Sequence, residues 1–202
     1  MVYFFNLMPK TYGQHCALAR ALDRVGDRWT LLIVRELLVG PRPWADLKAG
    51  LPGIATNLLA ARLRELEADG IVRRDQAYEL TPLGRELAEP VHALVRWGGN
   101  FMAAPGPGDA FSPHWLVVAL GAVLPAPARP WRLRVDGVEI ALRPDGPALV
   151  REPAAGEPVL ECDGPTALGL AAGRIGLDEA VASGRARVAA GDAAVVEAAL
   201  AR

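Results

Sequence analysis

A chain of 202 residues, 51% of them hydrophobic, has core material for two domains of roughly a hundred residues each. Its net charge of −1 excludes a simple polycation that holds nucleic acid by bulk charge. The imbalance is mild: residues 1–100 hold 13 Lys+Arg against 11 Asp+Glu, and residues 101–202 hold 9 against 12. Cys16 and Cys162 fall in different candidate domains, which argues against a structural disulfide and for a reduced, cytoplasmic setting. The apolar start MVYFFNLMPK lacks the basic segment and long apolar run of a secretion signal. No run approaches the ~20 residues that span a bilayer, so no membrane role is expected.

Residues 1–14 read as an irregular arm whose Tyr3, Phe4 and Phe5 need a surface to pack on, a second subunit among the candidates. A first helix over 15–25 puts Leu18, Leu22 and Val25 on one face and ends at Gly26. Asp27 is a good N-cap for a second helix over 28–39, with Trp29, Leu32, Ile33 and Leu37 facing the core. Gly40-Pro41 stops it. A short third helix over 43–51 carries Trp44 and Leu47, and Pro52-Gly53 turns into the fourth. Two helices joined by a short turn containing Gly form the helix-turn-helix pattern.

The stretch 52–78, PGIATNLLAARLRELEADGIVRRDQAY, organises the first half. Leu59, Leu63 and Leu66 recur at spacings of four and three and share one helix face. At about 100° per residue, Asn57, Ala61, Arg64 and Ala68 take the opposite face, with Arg62 at the flank. Asp69-Gly70 ends the helix, because Gly accepts a left-handed terminus. Ile71-Val72 and Tyr78-Glu79-Leu80 read as a hairpin with Arg73 and Arg74 near its tip. Such a helix suits a DNA major groove, and a basic hairpin beside it suits the flanking phosphates.

Thr81-Pro82 starts a fifth helix that runs to about residue 98, with Leu83, Leu87, Val91, Leu94 and Val95 on one side and a kink at Pro90. AAPGPGD is the linker, giving domains at 1–102 and 111–202 joined by 103–110. The second domain opens with a helix over 111–124. Strands are expected over 131–135 and 138–143 around the hairpin signal Asp136-Gly137, then over 148–151 and 158–162. Helices over 164–172 and 177–182, a strand over 187–189 and a final helix over 193–201, capped by Asp192, complete the chain. The fold class is α+β, with a mainly antiparallel sheet in the second domain.

Residues 14–100 resemble the HxlR family of bacterial transcription regulators, a branch of the MarR-like winged helices. The likeness rests on CALARAL from Cys16, GDRWTLLIVREL from Gly26, Gly40-Pro41, Trp44, Leu47, LPGI from Leu51, Leu59, Arg62-Leu63, Leu66, Asp69-Gly70 and YELT from Tyr78. The resemblance implies a homodimer with one recognition helix and one wing per subunit, its interface built from the first and last helices, and a repressor's role. Ala55 stands where the family usually has Ser, which moves the expected N-cap to Thr56, and Trp44 stands for an aromatic Phe. From about Trp131 the chain more loosely resembles the sterol-carrier-protein-like fold, through Leu133 to Val135, Glu161 to Asp163, LDEAVASGR from Leu177, and Asp192 with the final helix. That resemblance implies an apolar tunnel and a ligand-sensing module.

The candidate base-reading residues are Thr56, Asn57 and Arg64, since Asn pairs bidentately with adenine and Arg with guanine. Arg62 is either a phosphate contact or a structural bond to a neighbouring carboxylate. Arg73 and Arg74 serve the wing, and Arg42 and Lys48 are weaker backbone contacts. Phe111, Trp115, Val118, Trp131, Leu133, Leu168 and Leu170 are candidates to line a pocket for an apolar small molecule, against plain core packing or dimer support. Cys16 is either a thiol that senses oxidants or electrophiles, as the resemblance implies, or a small hydrophobe buried at a dimer interface. His15, His92 and His114 have no partners at metal-ligand spacing, and no phosphate loop, nucleophile elbow or telling carboxylate pair suggests an enzyme, cofactor or metal. The expected function is a DNA-binding regulator, with a thiol-switched regulator and a lipid-like carrier as alternatives.

Overall fold

The computed structural model of the protein describes residues 11–102, 108–150 and 156–201. The aromatic arm and most of the expected linker lie outside the described residues. The chain divides into two compact units, one of residues 1–37 and 41–85, the other of residues 38–40 and 86–202. The division between Arg85 and Glu86 falls inside the stretch read from sequence as one fifth helix, upstream of the linker expected at 103–110.

The first unit contains α1 (Ala17–Val25), α2 (Thr30–Leu38), α3 (Trp44–Gly50), α4 (Thr56–Ala68), the hairpin β1 (Val72–Arg74) and β2 (Tyr78–Leu80), and the single turn α5 (Pro82–Arg85). α2 starts two residues later than Asp27 as N-cap would place it. The Asp27 carboxylate lies 2.7 Å from Arg62, and Trp29 takes a left-handed φ of 79° at the entry. Thr30, Ile33, Val34 and Leu37 then form the buried stripe, and Leu32, expected inside, is exposed. Leu47, Leu51, Ile54, Leu59, Leu63, Leu66, Ile71, Val72, Tyr78 and Leu80 are also buried. Each buried Leu contributes about 2 kcal/mol. Arg42 forms an isolated antiparallel bridge with Tyr78, exchanging two backbone hydrogen bonds of 2.9 Å. The wing therefore has a third strand segment that the sequence did not suggest.

The second unit begins with α6 (Ala88–Gly98) and a 3-10 turn, Gly99–Phe101. The expected single fifth helix is thus two helices, broken at residues 86 and 87 and not at Pro90. Pro90 sits in the first turn of α6, where its missing N–H has no helical acceptor to lose. A 3-10 turn, Pro113–Trp115, leads into α7 (Leu116–Val123). α6 packs on α7: the His92 ring meets Gly121, and Arg96 Nη1 donates to the Ala122 carbonyl at 3.0 Å.

β3 (Trp131–Val135), β4 (Val138–Arg143), β5 (Gly146–Leu149), β6 (Val159–Cys162) and β7 (Ala186–Ala190) form one sheet in the order β5-β4-β3-β6-β7. Every pair is antiparallel except β3 with β6, so the sheet is mixed. Asp136 and Gly137 have φ of 48° and 79° at the β3–β4 turn, the left-handed pair that an Asp-Gly hairpin requires. α8 (Gly164–Ala171), α9 (Leu177–Ala182) and α10 (Ala193–Leu200) complete the unit. Asp163 and Asp192 cap α8 and α10 through side-chain hydrogen bonds to Thr166 N and Ala194 N. Leu116, Val117 and Leu120 of α7, Leu170 of α8 and Val195 and Val196 of α10 close over Trp131, Leu133, Val135, Ile140, Leu142 and Leu160.

Candidate nucleic-acid interface

The leucine stripe orients α4. Leu59, Leu63 and Leu66 are at most 1% exposed, so the opposite face is turned to solvent. Thr56, Asn57 and Arg64 are all exposed there. The helix begins at Thr56 with Ala55 as N-cap and no side-chain cap, which corrects the expected shift of the cap to Thr56. The missing side-chain cap leaves the Thr56 and Asn57 N–H groups open to an acceptor from outside. Asn57 Oδ1 accepts from the Leu58 N–H at 2.9 Å, and its amide nitrogen stays available. Arg64 has no hydrogen bond or ion pair among the described residues.

The other candidate cations have internal partners. Arg62 is 11% exposed; its guanidinium lies 2.7 Å from Asp27 Oδ2 and also bonds Glu65. Arg42 Nε donates to the Glu36 carbonyl at 3.1 Å and lies 3.7 Å from the fully buried Glu36 carboxylate. Lys48 Nζ donates to the Ile54 carbonyl at 2.7 Å and holds the turn that enters α4. At the wing, Arg73 Nε donates to Glu79 Oε1 at 2.7 Å but stays 63% exposed. The Arg74 guanidinium rests 5.1 Å from the centre of the Tyr78 ring, which in turn tilts against Trp44 at 6.5 Å. The face of α4 opposite the leucines and the hairpin tip thus stay in solvent, while the remaining candidate cations brace the scaffold.

Sequence reasoning missed Asp27, Glu36, Asp69 and Arg24 as partners. Arg24 at the end of α1 bonds Asp69 at the C-cap of α4. The two are 45 residues apart, and no local pattern links them. Glu36 is also why position 50 is Gly: an added Cβ would lie 2.3 Å from its Oε2.

In the second unit, the expected ligand-lining residues do not gather around one opening. Trp131, Leu133 and Leu170 belong to the closed core, Leu168 packs against it, and Val118 is buried. Phe111 and Trp115 meet edge to face at 6.5 Å, and Phe111 lies over Gly164, where a Cβ would sit 2.4 Å from the ring. Leu170 does reach the wall of a cleft of about 500 Å³ with Ile175, Leu177, Leu200, Arg174, Asp178 and Glu197. Cys16 is exposed as the N-cap residue of α1, whereas Cys162 is buried in the other unit. Among the described residues no helix is long and apolar enough to cross a membrane, and no three His, Cys, Asp or Glu groups are placed to hold a metal.

A helical core, a helix presented across a Gly-containing turn and a wing built on the β1–β2 hairpin make the first unit a winged helix-turn-helix domain. Residues 24–105 match the family model described as HxlR-like helix-turn-helix. An uncharacterized HTH-type transcriptional regulator of Synechocystis is 34% identical over 98 residues, which are 45% of this chain and 73% of the relative. The HTH-type transcriptional regulator YvaP of Bacillus subtilis is 35% identical over 91 residues, 41% of this chain and 84% of the relative. This chain belongs to the HxlR-like helix-turn-helix family. Among solved structures, the redox regulator HypR in its oxidized form is 31% identical, with a TM-score of 0.42 over 44% of this chain and all of that one.

Proposed function

We propose that the protein is a sequence-specific DNA-binding transcription regulator that acts as a homodimer. The carrying observation is the solvent-facing set Thr56, Asn57 and Arg64 on a helix whose other face is locked into a core by Leu59, Leu63 and Leu66. In this reading α4 enters the major groove, and Arg73 and Arg74 reach the phosphates or minor groove beside it. The names carried by the relatives, HTH-type transcriptional regulators, support the same reading.

Exposed apolar faces support the dimer. Leu18 and Leu22 on α1 are 67% and 40% exposed, and Trp97 of α6 and Phe101 of the following turn are 63% and 68% exposed and meet edge to face at 4.8 Å. Apolar faces of this kind call for a covering surface, and the second copy is the occupant the family resemblance implies. Two copies of α4 then read half-sites about 34 Å apart on a pseudo-palindrome.

A small-molecule effector is a second reading, and the cleft beside Leu170 favours it through its apolar wall of Ile175, Leu177 and Leu200 and the charged rim of Arg174, Asp178 and Glu197. The packed positions of Trp131 and Leu133 weigh against a carrier's tunnel through them.

The test is selection of a duplex from a random-sequence library by the intact protein, followed by titration of variants. Asn57→Ala with Arg64→Ala is expected to cost about 30-fold or more in affinity, at ~1 kcal/mol or more per bidentate contact. Unchanged affinity would show that α4 is not the reader.

A further inference from the structure

We propose that Arg62 and Arg24 are positioning residues, which strap the reading helix α4 to α1 so that α1 sets its pitch. The proposal rests on α4 as the DNA-reading element. Arg62 reaches Asp27 in the turn after α1 at 2.7 Å, and Arg24 in the last turn of α1 bonds Asp69, the C-cap of α4. The four residues make two crossings between the same elements. On α4 the anchor points lie about two helical turns, or ~10 Å, apart. A single pair would let α4 pivot, whereas two pairs fix both its distance and its rotation.

The leucine stripe cannot do this alone. Apolar burial is non-directional and tolerates small slides, whereas an Arg–carboxylate pair is directional. Arg62 is also badly placed for phosphate. It is 11% exposed and already shared between Asp27 and Glu65. Moving it to DNA would leave Asp27 without its guanidinium. The Glu65 contact is within α4 and contributes nothing to the strap.

The arrangement has a consequence for regulation. α1 carries the exposed Leu18 and Leu22 as well as the straps. Whatever covers that face, a second copy first of all, acts on the angle of α4 through Arg24 and Asp27.

The experiment uses the full chain, the selected duplex and a scrambled duplex of the same length, across a range of salt. Asp27→Asn is the decisive variant. It removes a negative charge, so a phosphate role for Arg62 predicts equal or tighter binding. The strap predicts about tenfold weaker binding to the selected duplex and little change on the scrambled one. Arg62→Gln is expected to match it with the salt slope preserved, and the double variant to be no worse than either single. The charge swap Asp27→Arg with Arg62→Asp should recover part of the selectivity. A drop of about one unit in the salt slope of Arg62→Gln, with Asp27→Asn unaffected, would make Arg62 a phosphate contact and overturn the proposal. Amide hydrogen exchange along α4, without DNA, gives a separate readout: faster exchange in Asp27→Asn and in Arg24→Gln supports the strap, and unchanged exchange sinks it. If the wild type prefers neither duplex, the DNA reading fails while exchange still decides the strap.

Discussion

Cys162 and Cys16 show how place governs the chemistry of one residue type. Loss of solvent, then the charges of Asp163, Asp136 and Glu161, push the Cys162 thiol up to about 12. It stays protonated at any physiological pH and is a poor nucleophile there. Cys16 is exposed at the start of α1. Native protein at pH 8 is therefore expected to take one equivalent of iodoacetamide, at Cys16, and a second only in denaturant. Mass spectrometry of the alkylated peptides checks this, and rapid labelling of Cys162 in the native state would contradict it. Both cysteines were visible in the sequence, but their exposure depends on what packs over them.

At the scale of elements, the β-sheet carries a row of charges that no short motif announced. Glu139 on β4, Arg134 on β3, Glu161 on β6 and Arg187 on β7 occupy successive registered positions. Arg134 lies 2.5 Å from Glu139 and 3.1 Å from Glu161, and Arg187 lies 2.9 Å from Glu161. Arg187 first and then Arg134 hold the Glu161 carboxyl below its ordinary value of 4.5, and Arg134 does most to lower Glu139. A carboxylate depressed in the folded state stabilises the fold above its unfolded value, and that contribution is lost as pH falls through the folded one. The unfolding temperature is therefore expected to drop as pH falls below about 4.5, and Glu161→Gln should flatten that acid limb. An identical acid limb in Glu161→Gln, followed by circular dichroism, would count against the row. Elements were otherwise legible where a local rule acts alone: the α4 leucines, the Asp136-Gly137 turn and the Asp192 cap. They were misread where a distant partner intervened. Asp27 predicts a helix starting at residue 28, whereas α2 starts at Thr30 and the Asp27 carboxylate meets Arg62, 35 residues later.

At the scale of the molecule, the proposed dimer rests on the exposed apolar residues of α1 and of α6 with its following turn. Trp97→Glu is expected to turn a dimer into a monomer at concentrations where the wild type stays associated, because truncating or charging an aromatic anchor at an interface costs about 2 kcal/mol or more. Sedimentation velocity reads this directly, and an unchanged dimer would remove α6 from the interface. By itself the sequence determined the family, the α4 helix with its leucine stripe, the hairpin and most element bounds, because helix periodicity, Gly stops and Asp-Gly turns act within a few residues. Only the tertiary structure decided which cations take internal partners, why Trp131 and Leu133 are core instead of pocket, and that residues 86–98 group with the second half of the chain. Those outcomes depend on pairings between residues far apart in the chain, Arg24 with Asp69 and Arg62 with Asp27 among them, and spacing along a sequence carries no record of a partner brought near only by folding.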